Sequence, residues 1–227
     1  MGKKEIIKKL LMTLGEKFSV SLGIDLSKRR ASEIFKWFLA SILFGARISE
    51  TIAVNTYREF KKQGVLTPDK ILKRKWEGLV GILDNGGYVR YDFKTATKLL
   101  RIMKDLKDKY DGDLNRLHQI SQDSEDLENN IKNLGTGIGD VTVNIFLREL
   151  RGIWKKAEPL PGPLVIEGAR YLNVIPQKLK SGEKILERLK TVWQKSKVRG
   201  KDFVNFEASL LRLAKDHLRK GKEFPLK

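Results

Sequence analysis

Cysteine is absent from this chain of 227 residues. Without a thiol there is no disulfide, and the four-thiolate ligand set of an iron–sulfur cluster cannot be assembled. Histidine is scarce: His118 and His217 are the only two, far apart in sequence, so a dedicated zinc site is not expected. No apolar run approaches the length that crosses a bilayer, and the opening Met1-Gly2-Lys3-Lys4-Glu5 has charge but no signal-peptide core behind it. A cytoplasmic protein is the expectation. No Gly/Ser-rich linker and no internal repeat divides the chain.

Acid is in short supply relative to base. Forty-six Lys and Arg face 28 Asp and Glu, giving a net charge of +18, and the partner such a surface selects is the phosphate chain of a nucleic acid. The 41% hydrophobic and 33% charged content belongs to a folded globular protein with enough length to bury a core. Abundant Lys and Glu with no Cys and three Met point toward a thermophile.

Apolar residues recur at helical spacing almost throughout. Between Lys3 and Phe18, Ile6, Ile7, Leu10, Leu11 and Leu14 share one face opposite Lys4, Lys8 and Lys9. Such a basic amphipathic helix either packs on a core or lies on a membrane. A more apolar helix follows Ser27, with Ser27 or Ser32 as cap and Ile34, Phe35, Phe38, Leu39, Ile42 and Leu43 as a buried centre. Thr67-Pro68-Asp69 starts a short helix and Lys75 to Leu83 makes another, before Asp84-Asn85-Gly86-Gly87 breaks the chain. Phe93 to Lys109, Asp113 to Leu117, and Leu164 to Leu172 behind Pro163 read as further helices. The Lys- and Arg-rich runs 181–198 and 202–220 either extend a DNA-facing surface or form solvated faces of packing helices.

The most informative stretch is 131–144, Ile-Lys-Asn-Leu-Gly-Thr-Gly-Ile-Gly-Asp-Val-Thr-Val-Asn. Helical patterns precede and follow it, and the alternating Gly135, Gly137 and Gly139 free the backbone to approach something bulky. The amides from Gly137 to Asp140 then open the second helix, where unpaired N–H groups favour an anion. Gly137-Ile138-Gly139-Asp140-Val141-Thr142-Val143 resembles the G-[IV]-G-x-x-T-A core of the helix-hairpin-helix DNA glycosylases, the superfamily of endonuclease III and 3-methyladenine glycosylase.

Two other segments carry the same resemblance. Leu43-Phe44-Gly45-Ala46-Arg47-Ile48-Ser49-Glu50 is similar to the family's L-L-S-A-Q-x-x-D segment, with Arg47 where a Gln fills the space of an extruded base; Arg47 is otherwise a helix-end residue facing the dipole. Gly87-Tyr88-Val89-Arg90-Tyr91 resembles the G-[FY]-Y-x-x-K-A segment that lines the base pocket. Tyr88 and Tyr91 are expected either to stack on a base, with Arg90 on a phosphate, or to pack over a helix end.

The resemblance implies an aspartate in the loop after the hairpin, where Leu160-Pro161-Gly162-Pro163 has none. A lyase lysine is implied at a position held here by Val141, which cannot form a Schiff base. Glu158 and Asp140 are the candidate substitute carboxylates; the alternatives are a loop charge for Glu158 and a helix cap for Asp140.

The expected fold is all-α, with two helical lobes, 1–45 plus 150–227 and 46–149, flanking a cleft. DNA phosphate falls to Gly135, Gly137, Gly139, Asp140 and Thr142. The resemblance also implies a Na+ or K+ ion held by backbone carbonyls of Asn133, Gly135 and Ile138, and no other cofactor. The expected function is a monofunctional DNA glycosylase of base-excision repair acting on double-stranded DNA, with no obligate protein partner inferred. The alternatives are a catalytically silent DNA-binding module and an interaction scaffold with incidental basic charge.

Overall fold

The computed structural model describes residues 2–224. It is all α, and among the described residues the only extended pairing is an isolated bridge between Arg151 and Trp154. The chain divides into two compact units: one joins the residues up to 21 with those from 159 on, and the other is Leu22–Glu158.

The discontinuous unit is built from α1 (Lys3–Leu14), α2 (Phe18–Ser21), α10 (Pro163–Tyr171), α11 (Gly182–Ser196) and α12 (Phe203–Arg212), which runs on through a π turn, Leu213–His217. Its core joins Ile7, Leu10 and Leu11 of α1 to Val165, Ala169, Leu189, Phe206 and Leu210. The amphipathic first helix is therefore a core element. It stops at Gly15, earlier than the pattern predicts, and its last carbonyls are claimed by α12. Asn205 Nδ2 donates to the Gly15 carbonyl at 2.6 Å and Arg212 Nη1 to that of Leu14 at 2.9 Å, satisfying groups that a helix C-terminus leaves bare.

The continuous unit centres on α3 (Ala31–Phe44), in which Ile34, Trp37, Phe38, Leu39 and Leu43 are buried. Its N-cap is Arg30 rather than Ser27 or Ser32, because Ser27 instead donates to Asp25 at 2.6 Å in a separate turn. Trp37 Nε1 donates to the Phe146 carbonyl at 3.1 Å, and Phe38 meets the Phe146 ring edge-on at 5.1 Å. These contacts fix α3 to α9 (Asp140–Leu150). The central helix thus belongs with 46–158, and the lobe boundaries of 45 and 150 move to 21 and 158.

Around α3 lie α4 (Glu50–Lys62), α5 (Pro68–Asn85), α6 (Asp92–Tyr110), α7 (Leu114–Ile120) and α8 (Ser124–Lys132). Helix α5 is broken at Lys75, whose φ of 60° is left-handed, so the two helices read from the pattern meet there. Helices α5 and α6 form a hairpin through Gly86-Gly87. A Cβ on Gly86 would enter Thr56 of α4, and Gly87 has φ +86°.

Candidate nucleic-acid interface

Helix α8 is capped by Asp123, whose carboxylate accepts from the Asp126 amide at 2.9 Å, and buries Leu127 and Ile131. After Asn133 the chain turns back through the three glycines, with the Ile138 amide donating to the Gly135 carbonyl at 3.2 Å. Ile138 faces the interior. Its burial anchors the turn and leaves the peptides on either side outermost.

The three glycines have different reasons. A Cβ on Gly135 would lie 2.7 Å from Ile102 Cγ1, so α6 packs directly on this point. Gly137 has φ +99°, a conformation that side chains disfavour, and a Cβ there would run into the Lys98 side chain. Gly139 is the N-cap of α9 in extended backbone, φ −102° and ψ −179°, and a Cβ there meets nothing within 4 Å. The fold does not require a glycine at 139. The amide hydrogens of Gly139, Asp140 and Val141 find no acceptor among the described residues, and all three residues are exposed. Free N–H groups at the start of an eleven-residue helix present partial positive charge to solvent.

Asp140 is the first residue of α9 rather than its cap, and it forms an ion pair with Lys132 at 2.6 Å. The hydrogen bond that Lys132 donates to this carboxylate holds its amine above the ordinary pKa. The pair ties the end of α8 to the start of α9. Glu158, the other candidate carboxylate, accepts from Arg151 Nη1 at 2.7 Å, with the arginine side chain 4% exposed. Both acids are engaged.

Thr142, expected on phosphate, is not exposed beside the amides that open α9. It is buried, and its Oγ1 and Cβ fill the space beside Gly45, where a Cβ would collide with them. The residue therefore locks the α3–α4 turn to α9, bringing two resemblance-bearing segments together. Arg47 lies in that turn, exposed, with no polar partner among the described residues.

Tyr88 takes the second of its two expected arrangements. Its ring is buried and its hydroxyl accepts from Thr95 Oγ1 at 3.1 Å, so it packs over the start of α6 and presents no face to a base. Tyr91 is partly exposed beneath the Arg90 guanidinium, 5.3 Å from the ring centroid. The exposed aromatic here is Phe93, tilted against Trp76 at 5.1 Å. Flanking this turn, burial and the neighbouring Asp92 carboxyl push Asp84 above its usual pKa.

The sequence pattern gave no sign of the lysines of α6. Lys98 Nζ reaches the Gly137 carbonyl at 3.5 Å, and Lys109 Nζ reaches that of Asn133 at 3.3 Å while pairing with Asp105 at 3.2 Å. Burial lowers the Lys98 amine below its ordinary pKa. Lys94, Lys98 and Arg101 recur at helical spacing, but the glycine turn lies well downstream in sequence and no local pattern connects the two.

These contacts bear on the implied monovalent cation. Of the three implied carbonyls, that of Asn133 accepts from the Lys109 ammonium and that of Gly135 from the Ile138 amide, while the Lys98 ammonium lies on the adjoining Gly137 carbonyl. A metal cation added there would face like charge, so the residues present do not fit one.

No family model and no curated protein matches the chain by sequence. A solved structure does match by fold: the 3-methyladenine DNA glycosylase of H. pylori, bound to 1,N6-ethenoadenine, aligns with a TM-score of 0.57 over 99% of this chain and 100% of that one, at 13% identity. The chain has a DNA glycosylase-like fold.

Proposed function

We propose that the protein binds double-stranded DNA through a helix-hairpin-helix formed by α8 and α9, and acts as a DNA glycosylase of base-excision repair. The observation that carries this reading is the open start of α9. Three amides without acceptors belong to exposed residues, a glycine that nothing in the fold demands and the two residues after it, in a chain of net charge +18. A phosphate oxygen satisfies such amides, and the missing side chain lets it approach. Arg47 is the candidate to fill the gap left by a flipped base, because its guanidinium is exposed and uncommitted. Tyr91 and Phe93 are the aromatics able to contact that base.

The reaction would be hydrolysis. Water adds to the anomeric carbon, the base leaves with the electrons of the N-glycosidic bond and a proton, and a carboxylate stabilises the oxocarbenium-like transition state. Val141, 63% exposed near the start of α9, offers no amine, so lyase chemistry through that position lacks its nucleophile.

A second reading, a catalytically silent DNA-binding module, is favoured by one observation: the charges of Asp140 and Glu158 are already matched by Lys132 and Arg151. An ion-paired carboxylate has less field left for a cationic sugar. Base release from duplexes carrying alkylated adenines, beginning with 1,N6-ethenoadenine, separates the two. Release that disappears in Glu158→Gln supports the enzyme with Glu158 in the site. Tight duplex binding with every lesion intact leaves the silent module, and no duplex binding removes both.

A further inference from the structure

We propose that the glycine turn carries its own cations in place of a monovalent metal, the Lys109 ammonium on the Asn133 carbonyl, one of the three such a metal would use, and the Lys98 ammonium on the adjoining Gly137 carbonyl. The Lys98 chain lies against Gly137 so closely that a methyl there would collide with its Cε and Nζ, and Nζ meets the Gly137 carbonyl at 3.5 Å. Lys109 takes the Asn133 carbonyl at 3.3 Å. Both come from α6, one face of which is pressed onto the turn through Ile102, 2.7 Å from where a Cβ of Gly135 would be. The two ammonium groups therefore arrive on a rigid element.

Their charges differ in availability. Lys109 shares its charge with Asp105 at 3.2 Å, whereas Lys98 has no carboxylate partner among the described residues. Lys98 is thus the uncompensated cation beside the free amides that open α9. A covalently tethered ammonium does the two tasks a bound ion would do there: it satisfies turn carbonyls and adds positive charge next to an approaching phosphate. Unlike an ion, it cannot dissociate, so the turn is independent of which salt is present. The phosphate part of this inference rests on the duplex-binding reading; the carbonyl part does not.

The test has two arms that fail separately. Without DNA, the thermal midpoint of the wild-type protein is measured in potassium, sodium and tetramethylammonium chloride at equal ionic strength. The same midpoint in all three is expected, and one that is raised by potassium or sodium overturns the assignment. With a short undamaged duplex, affinity is titrated against salt. Wild-type affinity should not distinguish the three cations, and Lys98→Met, which keeps the stem and removes the charge, should lower the slope of log affinity against log salt by about one. Affinity that collapses in tetramethylammonium, or a slope that Lys98→Met leaves unchanged, overturns the proposal. If the duplex is not bound at all, the DNA reading and the phosphate role fall together, and the unfolding arm alone decides the carbonyl role.

Discussion

Replacing Gly139 with Asp should make the protein more stable and bind DNA less well. The position has extended backbone, φ −102° and ψ −179°, and a Cβ there would have no atom within 4 Å, so Asp enters without strain or collision. As an N-cap it accepts from the amides of α9, worth a few tenths of a kcal/mol over Gly. The carboxylate against the helix N-terminus adds about 0.3–1 kcal/mol, and loss of glycine freedom from the unfolded chain a further ~0.4–1 kcal/mol. Repulsion from Asp140 is reduced by the Lys132 pair at 2.6 Å. The net is about 1 kcal/mol, or roughly 2–4 °C in melting temperature for a chain of this size. Binding moves the other way, because the carboxylate takes the Val141 amide and places a negative charge facing the phosphate. Losing one hydrogen bond to a charged group costs about 1.5–3 kcal/mol, roughly ten- to a hundredfold in affinity. Calorimetry and fluorescence anisotropy on one preparation measure both. A variant with raised melting temperature and duplex affinity within a factor of about three of wild type would refute the claim that these amides hold phosphate.

Two further outcomes follow from the same geometry. Tyr88→Phe deletes the hydroxyl that accepts from Thr95 at 3.1 Å and should cost about 1 kcal/mol of stability in denaturant titration, leaving any base release unchanged; a selective loss of release would return Tyr88 to the base pocket. His118 is stacked on Trp154 at 4.7 Å, and burial, with Lys156 and Arg29 nearby, holds its imidazole below the usual 6.5. Below pH 6.5 the unfolded chain therefore takes up a proton that the folded chain refuses, so stability falls with pH until the folded imidazole also protonates. His118→Phe keeps a ring on Trp154 and should flatten the unfolding free energy across that window; an unaltered pH profile would show that the imidazole does not contribute.

What the sequence determined by itself was local. Helical periodicity and starts such as Asp113 and Thr67 placed most helices, because both act within a turn or two of the chain. The break at Lys75, the proline start of α10 at Pro163 and the glycine turn between α8 and α9 were legible for the same reason. Pairings made across distance were decided only by tertiary structure. Whether Tyr88 faced a base or Thr95, whether Thr142 met phosphate or Gly45, and which unit claimed α3 depend on how helices pack. The lysine that covers Gly137 lies 39 positions before it, and charge at that separation leaves no periodic trace in sequence. Spacing along a helix records which face a residue occupies, but not what the fold brings against that face.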